Sequence, residues 1–147
     1  MAGNANLIRS LYDAWNAKNY EAGADAMAPD GTITLMGTGE TFTGPEGARK
    51  FGKMLATGFP DGTITVDTVV SEGDRVVVEY TCRGTHTGPV ETSAGVIPPT
   101  GKSVTLKACD VDDVKDGKVT AQRTYLDTGS IMAQLGLMHE RTETATQ

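Results

Sequence analysis

At 147 residues the chain can build one substantial core and needs no second domain, so residues 1–147 are expected to form a single domain. Nineteen acidic against 13 basic residues leave a net charge of −6, and the Lys and Arg are scattered rather than gathered into a stripe, which argues against nucleic acid or an anionic membrane as partner. The start, Met-Ala-Gly-Asn-Ala-Asn, lacks the charged and apolar regions of a secretion signal, and no apolar run approaches the ~20 residues of a membrane span; a soluble, cytoplasmic protein is expected. Cys82 and Cys109 lie inside strand-like runs rather than in a Cys-x-x-Cys spacing, and read as free thiols that could be cross-strand neighbours.

In chain order, Leu7, Ile8, Leu11, Tyr12 and Trp15 recur at the spacing of one apolar helix face, predicting a helix over Ala5 to Asn19. A second, short helix is predicted from Tyr20 to Met27, stopped by Pro29 and Gly31. Thr32 to Met36 reads as a strand and Thr41-Phe42-Thr43 as a short partner. Gly44-Pro45-Glu46-Gly47 opens a third helix that Pro60-Asp61-Gly62 ends. Beyond Gly62 the pattern becomes β-branched, with strands predicted at Thr63 to Val70, Arg75 to Thr85, Ser103 to Val114 and Lys118 to Asp127. Ser71-Glu72-Gly73-Asp74 and Asp116-Gly117 are tight antiparallel turns. The stretch Thr87 to Gly101, with glycines and prolines throughout, is a long loop: a lid over a pocket or a hairpin between subunits. Helices on one face of an antiparallel sheet make an α+β fold with a two-layer core.

Three polar signatures stand in order along this pattern: Arg83-Gly84-Thr85-His86-Thr87-Gly88, then Pro98-Pro99-Thr100-Gly101-Lys102, then Arg123-Thr124-Tyr125-Leu126-Asp127 with Gln134-Leu135-Gly136 behind it. Together they make the chain resemble the SnoaL-like polyketide cyclases, of the superfamily that also holds nuclear transport factor two and ketosteroid isomerase. The resemblance covers nearly the whole chain. It implies a cystatin-like α+β barrel: three N-terminal helices packed on a bent antiparallel sheet around a conical cavity, with a short C-terminal helix. It also implies a small hydrophobic substrate, no cofactor, and a homodimer or higher homo-oligomer.

The candidate chemistry gathers at a few positions. Alternation on the last strand puts Arg123, Tyr125 and Asp127 on one face. In the cyclases this strand ends with an acid/base aspartate shortly before the helix carrying Leu-x-x-Gln-Leu-Gly, and Asp127 matches it; alternatively Asp127 is the N-cap of that helix. His86 stands at a strand end beside glycines, where the resemblance puts it at the pocket as a partner for a carbonyl or enol oxygen; the other reading is a histidine bonded to the loop backbone. Asp110 occupies a strand interior where an unpaired charge is costly. Ketosteroid isomerase keeps a protonated aspartic acid at the corresponding place. Asp110 would act with His86 on the enolate oxygen, or, if the strand ends early, join Asp112 and Asp113 in a solvated turn. His139 reads as solvated. Trp15, Phe42, Met36, Phe51 and Met54 are core side chains by default, of which Trp15, Met36, Phe51 and Met54 are candidates to line the pocket with Arg123 and Tyr125.

Other chemistries of the superfamily lose their residues here. Leu35 stands where the isomerase base would fall, and the acidic partners of limonene epoxide hydrolase are absent from Arg83-Gly84-Thr85 and Arg123-Thr124. No metal-ligand spacing, dinucleotide-binding glycine pattern or Gly-x-Ser-x-Gly turn is present. The implied reaction is an intramolecular aldol condensation of a polyketide-type keto ester. The alternatives are cofactor-independent hydroxylation of an aromatic polyketide, or a non-catalytic binding or dimerisation module.

Overall fold

The computed structural model describes residues 2–138; His139 lies outside the described residues. The first apolar helix stripe forms α1 (Ala2–Asn16), which buries Ile8 and Tyr12 against the sheet. It ends where Lys18 turns into left-handed backbone, φ 63°. The Asn16 amide then pairs with the main chain of Ile64, donating to its carbonyl at 2.7 Å and accepting from its N–H at 2.8 Å. That two-way bond ties the end of the helix to the sheet.

A short α2 (Glu21–Ala26) passes directly into β1 (Met27–Leu35), which is longer than the strand predicted from Thr32. Pro29 and Gly31 end the helix as expected but sit inside the strand, where the pairing register slips between Met27 and Thr32. A bulge of this kind is where a strand can hold a residue without an N–H. β2 (Thr41–Thr43) hairpins back on β1, and α3 (Gly44–Gly58) starts with Pro45 in its first turn. The long strands β3 (Thr63–Glu72), β4 (Arg75–Thr85), β7 (Ser103–Lys115) and β8 (Lys118–Leu126) follow, and α4 (Thr128–Gln134) closes the described part of the chain. Asp116 and Gly117 both take positive φ, 52° and 73°, the geometry that lets a two-residue turn match the twist of β7 and β8.

The expected barrel does not form. The strand order is β2-β1-β8-β7-β4-β3, so β2 and β3 are free edges of an open six-stranded sheet. Nor is the sheet purely antiparallel: β1 runs parallel to β8, with Thr32 opposite Ala121 and Leu35 opposite Thr124. The parallel pair involves β1, which enters from the helical end of the chain, whereas the four later long strands pair antiparallel in chain order. The stretch predicted as a loop holds a small hairpin of its own, β5 (Val90–Thr92) with β6 (Gly95–Ile97).

Helices α1 and α3 cover one face of the sheet, α1 against β3 and β4, α3 against β1 and β2. Burial alternates accordingly. Val76, Val78 and Tyr80 of β4 point inward, as do Val104, Leu106, Ala108, Asp110, Asp112 and Val114 of β7. Each fully buried valine contributes about 1.5–3 kcal/mol relative to exposure. The outward face carries Arg75, Glu79, Lys107, Arg123 and Tyr125, and among the described residues no helix packs over it. Cys82 faces inward and Cys109 outward, since Cys82 stands opposite Leu106 and Cys109 opposite Glu79. They are not neighbours.

Candidate active site

Alternation along β7 puts two acids in step with the apolar residues of the core. Asp110 is 3% exposed and Asp112 2%, a costly placement unless each charge is held or neutralised. For Asp110 the holding groups come from two elements. The Tyr12 hydroxyl on α1 donates to Oδ2 at 2.5 Å, and the Tyr80 hydroxyl on β4 donates to Oδ1 at 2.8 Å. The two rings pack with centroids 5.3 Å apart. From β8, Thr124 stands directly opposite Asp110. Gln122 in turn donates to the Thr124 hydroxyl at 3.0 Å. Both tyrosines reach this point for legible reasons: Tyr12 follows Ile8 by four residues on the buried stripe of α1, and Tyr80 continues the inward series Val76, Val78.

The electrostatics follow from burial. Loss of water raises the Asp110 carboxyl above its usual range, and the bonds from Tyr12 and Tyr80 pull it part of the way back. Asp112 is raised well above the carboxylate range, first by burial and then by the charges of Asp110 and Asp113, with only Arg123 opposing. Burial and the nearby carboxylates push both phenols up, so Tyr12 and Tyr80 stay neutral donors. Cys82, on the same face, is pushed up to about 12 by burial and by Asp110, which leaves it an unreactive thiol. Around this cluster Leu35, Phe51, Met54, Cys82 and Leu126 pack on the core while keeping part of their surface open.

The other predicted residues occupy two further places. Asp127 is the N-cap of α4: its Oδ1 accepts from the Ser130 N–H at 3.0 Å. Arg123 lies on the outward face, where its Nη1 meets Asp113 Oδ2 at 3.3 Å. Tyr125 projects from the same face, 45% exposed. Asp127, Tyr125 and Met36 share an open groove of about 730 Å³ with Lys107 and Cys109. Trp15 packs edge-on against Tyr20 at 4.7 Å and Phe51 against Phe42 at 5.2 Å, while Met54 lies on the main core.

His86 is fully buried just past the end of β4. The Thr100 N–H donates to its Nδ1 at 3.3 Å, with the Thr100 hydroxyl 3.0 Å from the same nitrogen. A backbone N–H can only donate, so Nδ1 is the acceptor and the neutral ring carries its proton on Nε2. Phe59 stacks on the ring at 5.2 Å. The main chain of His86 also pairs with Lys102 and Gly101, so this residue closes the base of the 87–101 excursion. On that excursion Gly88 is pressed on α3; a Cβ there would lie 1.9 Å from the Thr57 carbonyl oxygen.

His86 and Asp110 are not brought together. Asp110 stands opposite Val78, and His86 lies eight residues further along the chain, just past the end of β4, about 26 Å of extended chain. The sequence places Tyr12 on a helix stripe and Asp112 in an acidic run with Asp110, but assigns no site role to Tyr12, Tyr80 or Thr124. The signal was available in the in-phase alternation of β7 and in the helical stripe of α1.

The family model for the SnoaL-like polyketide cyclases matches residues 5–135. Among solved structures, a candidate SnoaL-like polyketide cyclase from Jannaschia sp. CCS1 is 26% identical, with 94% of each chain covered and a TM-score of 0.82. IdmH, a candidate polyketide cyclase from Streptomyces antibioticus, is 31% identical over 90% of this chain and 98% of its own, with a TM-score of 0.73. AclR, a candidate hydroxylase from Streptomyces galilaeus, shares the fold at 22% identity, a TM-score of 0.79, and coverage of 99% of this chain and 93% of its own. No protein of curated function matches the chain. With the match running through all the long strands and the aspartate-bearing inner face, the chain belongs to the SnoaL-like polyketide cyclase family.

Proposed function

We propose that the chain is an acid/base enzyme of the cyclase type, acting on an enolisable keto group of a polyketide-like, largely apolar small molecule, with Asp110 as the base. The observation that carries this reading is the buried Asp110 carboxylate held by two phenols on the helix-covered face of the sheet. A carboxylate whose pKa is raised by burial is a stronger base than one in water, yet the phenols keep it ionised until a proton arrives. Removal of the proton alpha to a carbonyl moves negative charge from Asp110 to the enolate oxygen. The O–H groups of Tyr12 and Tyr80, no longer drawn to a charged carboxylate, are then available to that oxygen. Closure follows when the enolate carbon attacks a second carbonyl of the same molecule. A carbon–carbon bond forms, and the new alkoxide takes up a proton within the site. The open apolar edges of Leu35, Phe51, Met54 and Leu126 provide the surface on which a flexible chain is folded for this encounter.

The test uses the first step alone, since it does not require the true substrate. Aromatic β-keto esters incubated with the protein in deuterated buffer should exchange their alpha protons faster than in buffer. Asp110→Asn should lower that enhancement by about 100-fold or more, the usual scale for a lost general base, while circular dichroism stays that of the folded protein. Exchange that persists in folded Asp110→Asn would remove Asp110 from the role. A strict requirement for oxygen in subsequent turnover would replace ring closure by hydroxylation from the same deprotonated intermediate.

A further inference from the structure

Asp112 shares the inward face of β7 with Asp110, two residues along the strand, which sets their Cα atoms about 7 Å apart. One of its oxygens, Oδ1, is buried without a hydrogen-bond partner among the described residues. Its register neighbours are Val76 on β4 and Gln122 on β8, and the Gln122 amide nitrogen is already given to Thr124. From α1, the Tyr12 hydroxyl is given to Asp110. The charged groups that bear on Asp112 are Asp110 on its own face and, from the opposite face, Asp113 and Arg123. Arg123 and Arg75 both bind Asp113 there, at 3.3 Å and 2.8 Å.

Two carboxylates this close in a dry interior cannot both ionise at ordinary pH, and the one without donors keeps the proton. The phenols decide which one that is, because both are bonded to Asp110. We propose that Asp112 is the acid half of the site: it holds a proton at neutral pH while Asp110 carries the charge, so that a base and an acid stand side by side on one strand.

This pairing rests on the reading of Asp110 as base and completes its proton balance. When Asp110 accepts the alpha proton, its negative charge disappears and with it the repulsion that kept Asp112 protonated. Asp112 can then release its proton to the alkoxide: one O–H bond breaks at the carboxyl and one forms on the product. Transfer of the proton from Asp110 to Asp112 restores the starting state. No water has to enter the interior, and no proton is gained or lost overall.

The experiment is made on the unliganded protein, so its outcome is independent of turnover. Infrared spectra in deuterated buffer at neutral pH should show the carbonyl stretch of a neutral carboxylic acid. The band should vanish in Asp112→Asn. Its absence from the wild type or its persistence in Asp112→Asn would each overturn the assignment. Carbon-13 titration of the aspartate carboxyls in the wild type gives the same answer without any variant: the Asp112 carboxyl should be neutral at pH 7, and an ionised Asp112 refutes the proposal. Loss of exchange activity in Asp110→Asn with no neutral acid band in the wild type would leave the base in place and remove only the acid.

Discussion

Asp112 and Asp113 are adjacent in the chain, yet the fold treats them in opposite ways. Asp113 turns outward, binds Arg75 and Arg123, and has its carboxyl held below the usual range, by the Arg75 bond above all. Asp112 turns inward, has an oxygen without a partner, and is raised well above that range by burial. The difference is one step of a strand whose side chains alternate between faces. It separates a face where charge is compensated by ion pairs from one where charge must be rationed. The acid/base reading belongs to the second face because only there is a carboxyl held at a free-energy cost that a reaction can use.

The most severe test of this contrast is truncation on each side. Asp110→Ala removes the acceptor of two buried phenols and leaves their O–H groups unmet; at about 1–3 kcal/mol per unmet buried donor, a loss of about 2–6 kcal/mol is expected in urea unfolding. Asp113→Ala breaks ion pairs that solvent already screens, and should cost less than about 1 kcal/mol. Similar costs for the two variants would mean that the faces do not differ as described.

The second test is pH. Asp110 and Asp112 have folded pKa values above the ordinary 3.8, so between 3.8 and those values the folded chain binds more protons than the unfolded one. Their contribution to stability is therefore complete below 3.8 and lost as pH rises through the folded values. Asp113, with a lowered value, behaves in reverse: its contribution is present above 3.8 and disappears only in stronger acid. Acidification from pH 7 to about 4.5 should accordingly stabilise the wild type, by up to about 1.4 kcal/mol per pH unit for each proton of difference. Asp112→Asn should flatten this slope and be the more stable protein at pH 7. A wild type that loses stability steadily over this range would contradict the assignment of a buried acid.

Much of this contrast could be read from residue order. The runs of β3, β4, β7 and β8 alternate clearly, and the phase set by Val104, Leu106 and Ala108 carries Asp110 and Asp112 inward without any structure. What competed was the run Asp110, Asp112, Asp113 before Lys115-Asp116-Gly117, which also reads as a solvated turn; the strand continues to Lys115 because Val114 is buried beyond the acids. The alternation of β8 was equally plain, but alternation alone does not say which phase faces the helices, and the polar series Arg123, Tyr125, Asp127 proved to face outward. The parallel pairing of β1 with β8 and the open edges at β2 and β3 join residues about 90 positions apart in sequence, beyond what any local pattern encodes. The tie between His86 and Thr100 is likewise not legible: the order shows breakers between them and allows a hairpin, but does not say where the two ends meet.

A milder perturbation separates the two phenols. Tyr80→Phe and Tyr12→Phe each remove one donor to Asp110 and keep the ring, so each should cost about 1–1.5 kcal/mol. Each should also raise the Asp110 pKa further, since bonds to the ionised form are lost while burial remains. Carboxyl carbon-13 titration reads this directly. An Asp110 value that falls in either variant would show that the phenols are not what keeps it charged.

The smallest expected effect tests the boundary between the faces, at Asp127. Its Oδ1 accepts from the Ser130 N–H and starts α4, the helix whose Ile131 and Leu135 pack on Val104 and Leu106. An N-cap aspartate replaced by alanine usually costs about 1 kcal/mol, and asparagine serves nearly as well. Asp127→Ala should therefore lower stability by about 1 kcal/mol and Asp127→Asn by a few tenths. Activity divides the two roles more sharply than stability does. If the base is Asp110, folded Asp127→Asn should exchange the alpha protons of a keto ester at nearly the wild-type rate, because an amide keeps the cap and takes nothing from the inner face. If the base is Asp127, as the resemblance alone implies, the amide abolishes exchange while the helix stays capped. Measured beside Asp110→Asn under the same conditions, this one substitution decides which face of the sheet performs the proton transfer.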